Sequence, residues 1–349
     1  MDPTIMMAQF APAASGPRLQ EAPLGFKLGG GPLPHRRYRE AMFRMAQLHH
    51  RRRTHGAGAG LLLTGPSGAG KSTIAAAFLA AYPRVHETAR TYIPVLFVSV
   101  PSSPTSRSVA GAILEALGHR RAHSGTAPEK TARIKELFKR CGVEILVLDE
   151  FQHLYYCASS AAFRDLSDWL KNLLEDTGVG MVGCGLPAAE TAVDCNEQLA
   201  RRFSERIRFT PFSFEDAADF QEFRGILKAF GALLPISQET PLFEANLARR
   251  IHVASYGLLD YVVKLLEGAV SLAAASGSDV IDLPVLAAAF RDKVWRDVPE
   301  RLNPFHPESP LRPLDRIGEV FYLHTQLDPV GSPVARLRGM RAAKGGAHG

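Results

Sequence analysis

A glycine-rich octapeptide between an apolar run and a helix-forming segment constrains this chain most. Gly65–Ser72 fits the pattern G-x-x-x-x-G-K-[S/T], follows Leu61–Leu63 and precedes Thr73–Leu79. A strand, a glycine loop and a helix in this order direct backbone N–H groups and the helix dipole at one spot. The sequence therefore predicts a phosphate-binding loop. The alternative is a glycine-rich turn with an exposed lysine, which needs no such flanking elements.

The residues of this loop have separate expected roles. The Lys71 amine can reach the β- and γ-phosphates of a nucleoside triphosphate, and the Ser72 hydroxyl can ligate Mg²⁺. ATP and Mg²⁺ are therefore the expected cofactors. The residues expected to hold the nucleotide are Gly65, Pro66, Ser67, Gly68, Ala69, Gly70, Lys71, Ser72, Thr73 and Asp149.

A second signal is the run Ile145–Glu150, in which four aliphatic residues precede two acids. Such a run predicts a strand buried on both faces, with the carboxylates at the end where α/β proteins bind ligands. Asp149 is expected to hold Mg²⁺ together with Ser72, and Glu150 to act as general base on a water molecule. A solvated loop start is the alternative, but the spacing after Lys71 favours the site. Glutamate beside the aspartate favours an ATPase over a small-molecule kinase.

Apolar strands alternate with amphipathic helices as far as Thr210, which predicts an α/β fold with a parallel sheet and helices on both faces. After Pro211 we expect only helices, and hence a small all-helical lid domain. One helix is expected over most of 188–201. The expected division is a flexible leader at 1–33, a nucleotide-binding α/β domain with an N-terminal basic helix at 34–212, the helical lid at 213–300, and a proline-rich basic tail at 301–349.

Basic residues are concentrated in two places. The net charge is +6, and His35–His55 contains seven arginines against one acid. Solvated surfaces would explain these runs, but a polyanion such as nucleic acid explains them better beside an ATPase core. The expected DNA contacts in the first run are Arg51, Arg52 and Arg53, and the second run contains Arg336, Arg338, Arg341 and Lys344.

Arg201 and Arg202 follow a helix just before the last expected core strand. In many ring and filament ATPases an arginine at this place faces the nucleotide of a neighbouring subunit, where it neutralises charge in the transition state. Arg202 is the stronger candidate. The alternative is that both, with Arg206, are cations at a helix end, stabilised by the dipole.

The N-terminus has no signal-peptide pattern, and no apolar stretch approaches the length of a membrane-spanning helix. We therefore expect a cytoplasmic protein with no membrane contact.

Together these motifs resemble the AAA+ superfamily and, more narrowly, the TniB/TnsC family of transposition ATPases. The similarity extends over roughly 34–306. The segments that carry it are Gly65–Ser72, Ile93–Pro101, Ile113–Gly118, Asp149–Leu154, Gln198–Phe203 and Asn303–Phe305.

The resemblance implies a bacterial, ATP-dependent regulator that assembles on target duplex DNA, without sequence preference, as a ring or helical filament. A DDE transposase and a TniQ-type targeting protein are the implied partners, with ATP hydrolysis driving disassembly. The DNA-facing loop of the family corresponds here to Ser102, Ser103, Thr105 and Arg107. A capped helix start at the same place is equally compatible and can hold simultaneously.

Two positions depart from the AAA+ pattern. Asp260 stands where the lid often carries an arginine sensor, and Cys184 or Gly185 stands where a polar γ-phosphate sensor is common. We therefore expect slow hydrolysis.

A replication-initiator or helicase-loader ATPase is the alternative function, and a signalling or scaffold ATPase is a third.

Overall fold

The computed structural model describes residues 26–28, 31–56, 58–88 and 90–325, which form two compact units. The α/β unit contains residues 37–66 and 71–209, and the helical unit contains the segment up to Arg36, residues 67–70 and the chain from Thr210. Most of the expected leader lies outside the described residues. So does the basic run from Arg336 to Lys344.

The α/β unit is built on a parallel sheet of five strands in the order β4-β5-β6-β1-β7. Leu61–Leu63 and Ile145–Leu148 are at most 1% exposed, because helices surround the sheet. The α/β fold predicted from the alternating pattern is confirmed. The strands are β1 (Gly60–Thr64), β4 (Val95–Ser99), β5 (Ile145–Asp149), β6 (Gly180–Gly185) and β7 (Glu205–Arg208), and β2 (Val85–His86) with β3 (Thr91–Tyr92) forms a separate antiparallel pair.

Helices connect these strands, and their ends follow local capping signals. Thr126 and Glu129 form a reciprocal capping box at one start, and Gly142 ends the same helix in the left-handed region. The helices are α1 (Arg36–His55), α2 (Lys71–Ala81), α3 (Ser106–Ala116), α4 (Ala127–Cys141), α5 (Ser160–Thr177), α6 (Ala188–Asp194) and α7 (Glu197–Arg202). The single helix expected over 188–201 is therefore two helices, because the Asn196 side chain caps a second start.

The helical unit contains α8 (Ala217–Leu233), α9 (Ala245–Ser255), α10 (Leu259–Ser276) and α11 (Leu283–Lys293). Their apolar faces share a core that includes Phe223 and Phe290. The expectation of helices alone is corrected in one detail, since β8 (Ser237–Gln238) and β9 (Val280–Ile281) form a short parallel pair. Two-residue strands leave no periodic signal in a sequence.

The helical unit continues beyond the expected boundary at residue 300. Phe305, Leu314 and Phe321 are at most 3% exposed and belong to its core. The expectation of an extended tail from 301 is therefore wrong as far as residue 325. These side chains are spaced irregularly between prolines, so no helical or strand period marked them as core. None of the described helices is long and apolar enough to cross a membrane.

Candidate functional site

The Lys71 side chain is buried at the start of α2 (8% exposed). Its amine donates hydrogen bonds to the carbonyl oxygens of Gly65 and Pro66, both at 2.8 Å. Burial lowers the pKa of Lys71, and the nearby charges of Asp149 and Glu150 oppose this effect. No carboxylate of the described residues forms an ion pair with the amine. A buried cation of this kind fits an anionic ligand such as a phosphate group.

The backbone around this lysine can adopt the loop because of its glycines. A Cβ on Gly65 would lie 2.4 Å from the Phe209 carbonyl oxygen, so only glycine fits there. Gly68 has a φ of +79°, in the left-handed region. Ser72 and Thr73 are exposed in the first turn of α2, where a hydroxyl can meet Mg²⁺.

Asp149 and Glu150 stand at the carboxyl end of β5, in the α/β unit that also contains Lys71. Asp149 Oδ1 accepts a hydrogen bond from the Glu150 N–H at 2.9 Å. Glu150 has a φ of +56°, and its side chain is 49% exposed. The two carboxylates predicted from sequence thus leave the buried strand together, and solvent can reach the second.

The sequence analysis missed Gln152, although it quoted the run that contains it. Gln152 is 4% exposed, and its amide nitrogen donates to Glu150 Oε2 at 2.5 Å. Its amide oxygen accepts from the Leu186 N–H at 3.0 Å. A Cβ on Gly185 would lie 2.6 Å from Gln152 Oε1, so this contact depends on a glycine of another strand and no local sequence pattern marks it.

Cys184 lies in β6 and is fully buried. Burial raises the pKa of its thiol, and the Asp149 charge adds to this effect. The group is therefore a neutral thiol at ordinary pH. A thiol is a weak hydrogen-bond donor, and the slow hydrolysis expected from this position stays a prediction.

A buried carboxylate, Glu190, which the sequence analysis also missed, lies beside the end of β1. Glu190 accepts a short hydrogen bond from the Thr64 hydroxyl, and Arg208 binds both of its oxygens, with Nε at 2.8 and 2.9 Å. The Glu190 contact raises the pKa of Arg208. This pair fixes the last residue of β1 before the phosphate-binding loop begins.

The two candidate arginines both bind acids of their own chain. Arg202 donates to Glu175 Oε1 at 2.8 Å and to the Gly58 carbonyl oxygen at 3.2 Å. Arg201 is 78% exposed and pairs with Glu197 one turn earlier at 2.6 Å. In the single subunit each is therefore a paired cation at a helix end, and a role towards a neighbouring subunit remains a prediction.

The loop after β4 has the cap that the sequence allowed. The Thr105 side chain accepts from the Ser108 N–H, and Ser102, Ser103 and Arg107 are exposed. Close by, the 3% exposed Lys130 donates to the Arg107 carbonyl oxygen at 3.4 Å. Burial lowers the pKa of Lys130, and the charges of Arg107 and Arg133 add to this effect. The loop thus combines exposed hydroxyls with a positive field, while its DNA contacts stay a prediction.

The basic residues at the end of α1 are largely paired. Arg51 binds Glu205 Oε1 at 2.5 Å, and Arg53 lies 3.6 Å from Glu144 Oε1. Arg52 lies 3.5 Å from the Thr177 carbonyl oxygen. Acids distant in sequence neutralise part of this run. Less net positive charge is therefore available for the expected DNA contacts than the sequence indicated.

Asp260, in the first turn of α10, belongs to the helical unit together with Gly68. Its N–H lies 3.4 Å from the Gly68 carbonyl oxygen, and its carboxylate pairs with Lys264 at 2.6 Å. Asp260 therefore lies close to Gly68 in the glycine loop and brings a negative charge there. An arginine sensor in its place would bring a positive charge.

A profile of the family described as "Bacterial TniB protein" matches residues 33–212, which is more than half of the chain. The chain belongs to the TniB family. The matched range contains the glycine loop, Asp149, Glu150 and both candidate arginines. Among curated protein sequences, none matches the chain.

Several solved structures share the fold of this TniB family member. The Aeropyrum pernix ORC1 protein in complex with DNA has a TM-score of 0.56 and 19% identity, over 88% of this chain and 82% of that chain. The Aeropyrum pernix ORC2 protein (ADPNP-ADP complexes) has a TM-score of 0.56 and 16% identity, over 77% and 71%. A Walker-type ATPase of Pyrococcus abyssi has a TM-score of 0.51 and 13% identity, over 76% and 75%. Family and fold together make the chain an ATPase of the AAA+ class.

Proposed function

We propose that this TniB family ATPase is a DNA-binding regulator of transposition whose assembly is controlled by bound ATP. The observation that carries the nucleotide site is the buried amine of Lys71, which forms no ion pair with an acid of the described residues. It belongs to the α/β unit that places Asp149 and Glu150 at a strand end. Residues Gly65–Thr73 would hold the phosphates, and Ser72 and Asp149 would hold Mg²⁺. Bound ATP and Mg²⁺ would supply an electrophilic γ-phosphorus.

The protein residues then have distinct tasks in hydrolysis. Glu150 accepts a proton from the attacking water as the water oxygen bonds to the γ-phosphorus and the bond to the bridging oxygen breaks, which leaves ADP and phosphate. Lys71 neutralises charge on the phosphates. Arg202, or Arg201, would act on the nucleotide of a neighbouring copy, for which Arg202 must leave Glu175.

Duplex DNA is the proposed polyanion, bound through phosphates and without sequence preference. The support is the exposed loop Ser102–Arg107, the nearby charge of Lys130, which forms no ion pair with an acid in the part of the chain that the structure describes, and the TniB family itself. Arg51 and Arg53 would contribute only where they leave Glu205 and Glu144, and Arg52 only where it leaves the Thr177 carbonyl oxygen. A DDE transposase and a TniQ-type protein are the proposed protein partners, and a ring or filament is the proposed assembly.

The test is DNA affinity in the presence of an ATP analogue, ADP or no nucleotide, measured by fluorescence anisotropy with duplexes of unrelated sequence. We expect at least tenfold tighter binding with the ATP analogue, and a steep loss of affinity with salt, because phosphate contacts release counterions. Lys71→Ala should bind DNA equally in all three conditions. Equal affinity of the wild type in all three would rule out the nucleotide switch.

A further inference from the structure

The Gln152 side chain bridges two elements of the α/β unit that meet at the proposed catalytic carboxylate. It lies just after β5, with one end on Glu150 Oε2 (2.5 Å) and the other on the N–H of Leu186 (3.0 Å), the residue after β6. At 4% exposure it is shielded from water. Both of its polar ends are therefore occupied by protein groups.

The orientation of this amide follows from its partners. A backbone N–H can only donate, so the amide oxygen must face Leu186 and the amide nitrogen must face Glu150. A donor in contact with a carboxylate makes a charge-assisted hydrogen bond, which is stronger than a neutral one. The Leu186 contact therefore determines which group Glu150 meets.

Strand β6 is shaped to admit this side chain. A Cβ on Gly185 would lie 2.6 Å from Gln152 Oε1 and 3.0 Å from the Gln152 backbone nitrogen. A Cβ on Gly183 would lie 3.1 Å from the ring of Phe151, the residue before. Two glycines of β6 thus leave the space in which Phe151 and Gln152 sit.

Without this contact Glu150 has little to orient it. Its side chain is 49% exposed, and His153 Nε2 lies 4.0 Å from Glu150 Oε2, too far for a hydrogen bond. His153 Nδ1 is already 2.8 Å from the Val100 carbonyl oxygen. The Gln152 amide is therefore the group in hydrogen-bond contact that can hold the carboxylate in one direction.

We propose that Gln152 is a positioning residue that holds the Glu150 carboxylate in the orientation from which it accepts the proton of water, and ties that orientation to the end of β6. This proposal rests on the proposed role of Glu150 as the base. Misplacing a catalytic group by about 1 Å can reduce a rate by about a hundredfold. Loss of the amide donor should therefore lower turnover without weakening nucleotide binding.

The test compares Gln152→Leu and Gln152→Glu in the full chain. Leucine removes both hydrogen bonds, whereas glutamate keeps the shape and the acceptor for Leu186 but loses the donor to Glu150. We expect kcat for ATP to fall roughly 10- to 100-fold in both, with KM and the Kd of a fluorescent, non-hydrolysed ATP analogue changed less than twofold. Gln221→Leu, an exposed glutamine of the helical unit, should behave as wild type.

A double-mutant cycle with Glu150→Gln separates the two proposals. If Gln152 acts through Glu150, Gln152→Leu should change the residual turnover of Glu150→Gln less than twofold. If Gln152→Leu lowers the turnover of Glu150→Gln by the same factor as that of the wild type, the positioning role is overturned. Equal losses of analogue binding and turnover, or failure of both variants to fold, would also overturn it, since either marks a structural role. Normal turnover in Glu150→Gln alone would instead refute the base assignment.

Discussion

At the residue scale, three buried ionisable side chains differ in the groups to which they are hydrogen-bonded. Lys71 and Lys130 donate to carbonyl oxygens, and burial lowers the pKa of each. Glu190, by contrast, is bound on both oxygens by Arg208. A charge buried without a partner costs free energy, which an arriving anion can recover. The two lysines are thus suited to ligands, and the Glu190 pair to holding structure.

His252 in the helical unit gives a prediction about pH. It is 7% exposed, and burial, helped by the Arg249 charge, lowers its pKa below the ordinary value of 6.5. In the unfolded chain the ring takes up a proton near that ordinary value, so its contribution to stability is complete above it and is lost as the pH falls below it. Thermal unfolding at pH 7.5 and 5.5 should show a smaller pH effect in His252→Gln than in wild type.

Exposed His86→Gln is the matched control and should keep the wild-type pH effect. An identical pH effect in His252→Gln and wild type would contradict the assignment of a neutral, buried ring.

The sequence was sufficient to predict where Lys71, Asp149 and Glu150 stand in the fold, because each belongs to a local pattern with a known backbone context, while their roles stay predictions. Gln152 and Glu190 could not be predicted in the same way. Their partners Leu186 and Arg208 come from other strands, so the contacts exist only once the sheet has formed.

At the element scale, β6 is closely restricted by its neighbours at three positions. The strand carries Gly180, Gly183 and Gly185, and a Cβ on each would meet side chains at 2.6 to 3.1 Å. Glycine is a poor strand former, so intrinsic propensity alone does not explain a strand that contains three glycines. Packing against Phe151 and Gln152, rather than strand propensity, explains why the strand continues to Gly185.

Gly185→Ala should therefore destabilise the chain by about 1–3 kcal/mol, because the added methyl overpacks against Gln152. It should also lower ATP turnover by displacing that side chain.

Gly225→Ala is the matched control, since Gly225 lies inside α8 and a Cβ there meets nothing within 4 Å. Because alanine is the better helix former, this variant should gain roughly 0.5–1 kcal/mol. Urea unfolding measures both, and equal stabilities would contradict the packing argument.

At the scale of the whole molecule, each unit has its own hydrophobic core, and the helical core recruits residues far along the chain. Phe321 is fully buried, with its ring 5.2 Å from Tyr256 and 5.1 Å from Tyr261. The helices of this unit were predictable from their period. Its last segment was not, because isolated aromatic residues between prolines carry no period.

Phe321→Ala should lower the free energy of unfolding by about 3–5 kcal/mol, the usual loss for a buried aromatic side chain. Ile317→Ala, four residues earlier and 85% exposed, should change it by less than about 0.5 kcal/mol. Urea unfolding followed by circular dichroism measures both. A small effect of Phe321→Ala would mean that the segment contributes little to the core.

Strand β7 has a consequence for how copies of this chain can associate. It lies at one edge of the sheet and is only four residues long, of which Glu205, Arg206 and Arg208 are charged. Short, charged edge strands discourage the pairing of one sheet with another, which is the route to aggregation. In the proposed assembly, copies of this chain would therefore not be joined by strand pairing at this edge, and helices or loops would have to form the contact there.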